Sequence, residues 1–553
     1  MVSYGRSGFR FLVLAILVVC LDRTVHAQTP PDPKYLLETG APTFVTPDPV
    51  PAGFINLANG NLHIEIPFVA IPQRGGRPFV AKMVYDSRIW KITDFGYYRQ
   101  WTATNAGAYG WRFIATGLTS TQYDQVIHNC DEEGNYTWSE FKNYRYSDLD
   151  GTVRRFPLYF ETSAYCHAAG AVTTTGPSLD ATGYVMNSYT GAYPPLPGTP
   201  KEVFAPDGTM VYKDYVWFGT TSWKDPNGNF LERIAANDNV IDTLNRTAYS
   251  KVIVSSTQMI HSFSSASFNV HYIWIGGISS LGMPGVAEGG FGGYVPQRIE
   301  FPDGSKYEFT YESSGTGQLK TMKLPTGETI TFNYSVFTDA QGGKNHWVSS
   351  VVRGSGTWTY TPTTCGAGWC NQVRVTRPSG DETVHAFSIV GTGAWNFLNW
   401  SYHGAASGGN VALTVQHDYD TGLPDPVNGG NAFIRRIRTT TTWPGPAGNL
   451  VTKTEGTFDT FTYNYRGTNY TGSRGNVLTS SQFAYGGGAP GGLVRQQVLT
   501  YLHDSNASYI PKNIVNRVTN SQTKDAAGVK KTETIATYDS TSLTAVSGIT
   551  HHD

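Results

Sequence analysis

The residues of this chain best suited to chemistry are four cysteines, two histidines beside them and several clustered carboxylates. Cys20 sits in a leading apolar run, which leaves Cys130, Cys166, Cys365 and Cys370. The pairing Cys130–Cys166 with Cys365–Cys370 is the simplest of the three connectivities that four cysteines allow. The second pair encloses Gly366-Ala367-Gly368-Trp369 and would staple a turn, with a smaller loop-closure entropy than the first. Zinc is the alternative at the first pair, because His128 stands two residues before Cys130 and His167 follows Cys166. Neighbours such as Cys166 and His167 point to opposite faces of a strand, which weighs against a shared metal.

Glycoside hydrolysis needs two carboxylates about 5 to 10 Å apart across the scissile bond. Asp131, Glu132 and Glu133, or Asp381 and Glu382, offer one member each, but runs of adjacent acids read first as solvated surface. The segment His417-Asp418-Tyr419-Asp420-Thr421-Gly422 offers oxygens for calcium at Asp418 and Asp420. It lacks the other ligands and the closing Glu of an EF-hand loop, so a solvated Asx-rich turn is the expectation. Gly486-Gly487-Gly488-Ala489-Pro490-Gly491 matches a dinucleotide fingerprint by letter only. It contains a proline and no helical pattern follows it, which reads as a turn. The chain has no Gly-x-Ser-x-Gly elbow, His-Glu-x-x-His pair or phosphate-binding lysine loop. No catalytic, cofactor-binding or metal residue is expected.

The elements around these residues must be strands. Of 553 residues only 15% are charged, 61 are Gly, 30 are Pro and 13% are aromatic, which excludes a coiled coil, a helical solenoid and a disordered chain. Lys+Arg 41 against Asp+Glu 42 gives no electrostatic pull toward nucleic acid. Arg6 and Arg10 precede the apolar run 11–21, and Val25-His26-Ala27 offers a small-residue cleavage site. The run is too short for a bilayer, so residues 1–27 read as a signal peptide cleaved after Ala27. A lipoprotein signal ending at Cys20 is the minor alternative, weakened by the bulky Val19. No later stretch is long and apolar enough to be a transmembrane segment. The expected protein is secreted, extracellular or on the envelope surface.

Residues 28–53 form a Pro-rich arm, read as extended, unpaired backbone. Short alternating runs bounded by Gly, Pro, Asn or Asp follow, and helical periodicity is hard to find, which predicts an all-β architecture. Residues 302–334 repeat themselves. Pro302 to Pro325, Gly304 to Gly327 and Tyr311 to Tyr334 are all offset by 23 residues. Each unit is a Pro-x-Gly turn feeding a strand with Tyr307, Phe309 and Tyr311, or Ile330, Phe332 and Tyr334, on one face. Such a hairpin cannot bury its aromatics alone, so neighbours must stack on it. Echoes occur at Pro206-Asp207-Gly208, Pro226-Asn227-Gly228, Pro378-Ser379-Gly380 and Asp150-Gly151.

These pieces resemble the secreted bacterial RHS/YD-repeat family. Asn56-Leu57-Ala58-Asn59-Gly60-Asn61-Leu62 is similar to its leading motif, and Ile71-Pro72-Gln73-Arg74-Gly75 to the continuation. Tyr85-Asp86-Ser87, Gly110-Trp111-Arg112-Phe113, the 302–334 pair, Tyr501-Leu502-His503-Asp504, Asp525-Ala526-Ala527-Gly528 and Tyr538-Asp539 extend the likeness over most of the chain. The resemblance implies stacked hairpin repeats forming a spiralling sheet or shell, preceded by a β-sandwich-like region. The divisions it suggests are an N-terminal β region at 54–295, YD-type hairpins at 296–340 and degenerate repeats at 341–553. The Asp-Pro-x-Gly-Arg core motif and a variable tip are missing, so neither toxin nor self-cleavage activity carries over. Similar proteins continue past the point where His551-His552-Asp553 stands, which makes a leading shell segment or a free-standing module the expectation.

The expected function is a non-enzymatic scaffold, a shell segment or a cell-surface module. Its partners would be an encapsulated polypeptide encoded downstream, or glycans and cell-surface molecules. The alternatives are a carbohydrate-binding adhesin and a secreted glycoside hydrolase. Trp90, Trp101, Trp111, Trp217, Trp223 and Trp400 allow sugar stacking, but core packing is their default in a β-rich chain with few charges.

Overall fold

A computed structural model describes residues 34–538 except 74–77, 105–108, 131–135, 171, 189–200, 216–219, 235–236, 265, 314, 366–369, 391–395 and 405–410. The expected signal peptide, the start of the arm, Arg74 and Gly75, Asp131, Glu132 and Glu133, Trp217, the 366–369 loop, Asp539 and the 551–553 terminus lie outside the described residues.

Short turns between alternating runs force each strand back onto the one before it. The result is an all-β protein with, among the described residues, one antiparallel sheet of 27 strands from Thr175–Pro177 to Lys530–Ile535, almost entirely in chain order. The Pro-x-Gly turns and their like share one device. At Pro302-Asp303-Gly304 the Phe301 N–H donates to the Ser305 carbonyl at 2.9 Å, and the Gly304 N–H to the Phe301 carbonyl at 3.0 Å. Gly304 has φ 83°, left-handed backbone that a side chain would strain. The same bond pair recurs around Gly327, Gly380, Gly208, Gly228, Gly151 and Gly528. All the echoes seen in the sequence therefore close their hairpins alike.

A separate five-stranded sheet comes first: Pro47–Val50, Gly53–Asn56, Asn61–Ile71, Phe79–Asp86 and Trp111–Ala115. Leu62, Ile64, Phe79, Met83 and Trp111 from this sheet share one core with Phe309, Met322, Ile330, Phe332, Val351 and Val373 of the large sheet. Phe68 stacks on Phe268 at 4.7 Å and Trp111 meets Phe309 edge-on at 4.9 Å. Polar ties add register: the Gln318 amide donates to the Ser87 carbonyl at 2.9 Å, and the Asn396 amide to the Ala58 carbonyl at 2.7 Å. The N-terminal sheet thus fills the concave side of the large one, as one layer of a sandwich.

The arm corrects one expectation. Its described part is paired and packed, because Pro47–Val50 is an edge strand whose prolines point outward and whose missing N–H groups are not needed by a neighbour. Tyr35, Leu36 and Phe44 are buried. The Tyr360 hydroxyl donates to Asp48 at 2.7 Å, tying the arm to the large sheet. The division expected at 295/296 is crossed by the strand Gly290–Glu300, which carries the sheet through it.

The large sheet comes round on itself. The Phe433 N–H donates to the Leu179 carbonyl at 2.7 Å, and Tyr159, Tyr463 and Tyr465, which lie outside the large sheet, pack around this contact. Farther along, the Val515 N–H reaches the Pro206 carbonyl at 2.8 Å, and the Asn513 amide reaches the Gly183 carbonyl at 3.0 Å and the Ala205 carbonyl at 2.9 Å. The two ends of the sheet are not joined as a ladder, so it is a turn of spiral rather than a barrel among the described residues.

Cross-strand partners carry the core-facing side onward from Val373 through His385, Ser401, Val415 and Thr441 to Thr452. One step along each strand, the same face runs from His417 through Thr439 and Thr454 to Gln482 and Arg495. Apolar side chains give way to hydroxyls and amides. The strand Lys530–Ile535 is exposed throughout.

Candidate functional site

Alternation in Thr247–Ser255 puts Tyr249, Lys251 and Ile253 on one face, and register sets Lys251 opposite His261 and Ile253 opposite Met259. That shared face bounds a cavity of ≈ 630 Å³ between the hairpin, Trp111 and Phe113 of the N-terminal sheet, and Tyr272 and Tyr294 of the next two strands. The volume suits a small ligand.

Its floor is aromatic. Phe113 stacks on His261 at 4.4 Å and on Tyr249 at 5.0 Å. Tyr249 Oη and His261 Nδ1 are 2.9 Å apart, while His261 Nε2 is buried without a partner. Burial, with Lys251 adding to it, pushes the imidazole down to about 4, so it is neutral near pH 7. Burial also shifts the Tyr249 hydroxyl upward, so it keeps its proton. A hydroxyl donating to Nδ1 leaves one unmet group, the Nε2–H; the reverse assignment leaves two. That group is sealed beneath the wall, so the histidine serves the packing of the floor.

At the rim Asp238, with φ 59°, accepts from Arg233 Nε at 2.8 Å and pairs with Lys251 through its other oxygen. Burial pushes this carboxyl up, but the hydrogen bonds from Lys251 and Arg233 outweigh it and hold the group below the usual range. Asp238 is the one carboxylate among the described lining residues. Two cations against it leave one positive charge in excess. Beside the mouth, Trp274 is 59% exposed and meets Tyr294 edge-on at 5.1 Å. It lies on Gly292, where a Cβ would come within 2.8 Å of the indole.

A second polar cluster is sealed in the N-terminal sheet. Asp86 accepts from the Gly40 N–H at 3.1 Å and the Asn61 amide at 2.6 Å, meets His63 Nδ1 at 3.0 Å and pairs with Arg112. Burial alone would push His63 down, but Asp86 and then Glu65 outweigh it and raise it to about 9. This cluster fastens the arm to the sheet and is closed to substrate.

The sequence-predicted positions separate into structural roles. Cys130–Cys166 and Cys365–Cys370 are bonded, with Cα separations of 5.5 and 5.4 Å. His128 and His167 stack on opposite faces of Trp138, at 4.0 and 3.7 Å. Pro302, Gly304, Pro325 and Gly327 stand at turns, while Tyr311, Tyr334 and Tyr538 recur in a common bond. Their hydroxyls donate to carbonyls of the preceding strand: Tyr311 to Pro296 at 2.5 Å, Tyr334 to Leu319 at 3.0 Å and Tyr538 to Val518 at 3.1 Å. Tyr419 and Tyr501 repeat it, to Leu398 at 2.7 Å and Val477 at 2.9 Å. Four of the five, Tyr538 excepted, sit where the register shifts, so a bulge re-aims each ring.

Asp420 caps Gly422 N–H at 3.0 Å as an Asx turn and pairs with Arg435, and Asp418 faces Arg438 at 3.4 Å. Asp381 accepts from Ser379 at 2.7 Å on the surface. Gly486–Gly487 pairs with Leu450 and Val451. Trp90, Trp101, Trp111 and Trp223 are buried, and Trp400 is half-buried. The exposed Trp274, together with Asp238 and Tyr272, was outside the sequence reading. A Trp facing glycines across a hairpin was the available signal. In comparisons with known proteins, no family model matches this chain and no curated protein matches it.

Proposed function

We propose that this protein is an exported, non-enzymatic β-repeat scaffold resembling RHS/YD-repeat proteins, acting as a shell segment or a cell-surface module. The observation that carries the reading is the division of one continuous concave face. As far as Ile434 that face is covered by the chain's own N-terminal sheet and the arm before it, and beyond it the exposed face is rich in hydroxyls. A filled end and an open, polar continuation suit a wall that closes at one end and meets another polypeptide at the other. The recurring turn and tyrosine bond support a repeat origin. Two disulfides fit an oxidising destination.

The test is turnover. The mature chain, incubated with a panel of chromogenic glycosides and plant and bacterial polysaccharides, is expected to release no product above buffer. Product release abolished by Asp238→Asn would overturn the scaffold reading in favour of a hydrolase.

A further inference from the structure

We infer that the cavity beside the 247–263 hairpin binds a ring-shaped sugar acid, a pyranose carrying one carboxylate. This goes beyond scaffolding and stands independently of it. The argument is complementarity of three kinds. Charge comes first: Arg233 and Lys251 outnumber Asp238 at the rim, so a ligand bearing one negative charge neutralises the cluster where a neutral one leaves it unbalanced. A carboxylate there accepts charge-assisted hydrogen bonds from both cations.

Shape is the second. Tyr272 and Tyr294 line a cavity whose volume suits a mono- or disaccharide, and Trp274 extends the aromatic surface outside the mouth. The third is the distribution of polar groups. Thr119, Ser120, Ser255 and Ser256 set hydroxyls around the wall, of which Thr119 and Ser255 also bond the Val211 carbonyl and the Thr257 hydroxyl. A flat aromatic acid would satisfy the charge and the rings but, beyond its carboxylate, offers the wall hydroxyls nothing to bond. A sugar acid satisfies all three, because its hydroxyls both donate and accept.

Saturation-transfer NMR on the mature chain, with glucuronic acid, glucose and benzoate as probes, tests the inference. Glucuronate is expected to bind saturably and at least about tenfold more tightly than glucose or benzoate. Lys251→Met is expected to weaken it about tenfold and Lys251→Arg to restore it, with near-ultraviolet circular dichroism confirming that each variant is folded. Asp238→Asn removes the competing carboxylate and is expected to tighten glucuronate several-fold, an effect that a purely structural pair would not give. Absence of saturable glucuronate binding, equal binding of glucose or benzoate, or affinity unchanged in the folded Lys251→Met chain overturns the inference. Binding without turnover leaves the scaffold reading intact, and turnover without this selectivity defeats both separately.

Discussion

Tyr334 shows how a single hydroxyl holds one repeat to the next. Tyr334→Phe leaves the Leu319 carbonyl without its donor and should cost about 1 kcal/mol, read as a lowered urea midpoint with an unchanged slope. His63 makes a second residue-level prediction. Its folded value, about 9, lies above the unfolded one, so its contribution is complete below about pH 6.5 and is lost as pH rises through 9. His261, His385 and His417 run the other way, each lowered to about 4 chiefly by burial. Their contribution is complete above pH 6.5 and is lost as pH falls toward 4. His63→Gln should therefore flatten the alkaline limb alone in denaturation curves taken across pH, leaving the acid-side loss set by His261, His385 and His417. The 23-residue offset made Tyr311 and Tyr334 legible as a pair, because their turns and spacing match. Tyr501 was legible only through the likeness of Tyr501-Leu502-His503-Asp504, and Tyr419 was not legible as a member of the set, since its bond follows a bulge that no local pattern marks.

Among the elements, turns were the easiest to read and the arm the hardest. Pro-x-Gly specifies a hairpin through one residue's φ, a local property that survives without tertiary context. The arm's pairing depends on an edge formed by residues 53–56 and on Tyr360, more than 300 positions away, which its prolines do not advertise. The cleft was illegible for the same reason: Asp238, His261 and Trp111 meet only after the sheet has wrapped the N-terminal strands. Glycines separate local from distant effects. Gly327→Ala should cost about 1 kcal/mol, since nothing stands within 4 Å of the new methyl and only the backbone at φ 91° is strained. Gly60→Ala should cost well above that in thermal melts, because its Cβ would fall 2.5 Å from the Trp347 ring. Cys130 and Cys166 are separated by 36 residues, and losing their bond should destabilise by about 4 kcal/mol, against about 2 for the five-residue separation of Cys365 and Cys370.

At the scale of the whole molecule, the composition already required strands and the repeat required stacking. Neither could say that the chain's own N-terminal sheet occupies the hollow. That arrangement is the centre of the account, since it separates a filled half of the wall from an open one. Hydrogen exchange followed by mass spectrometry on the mature, disulfide-intact chain tests it most directly. Asn61–Ile71 and Phe79–Asp86 should exchange with the slowest group, alongside Thr329–Thr338, because they share one core. Val518–Asp525 and Lys530–Ile535 should exchange at least about tenfold faster. An N-terminal sheet that exchanges as fast as those last strands would mean that it does not fill the hollow, and would contradict the account.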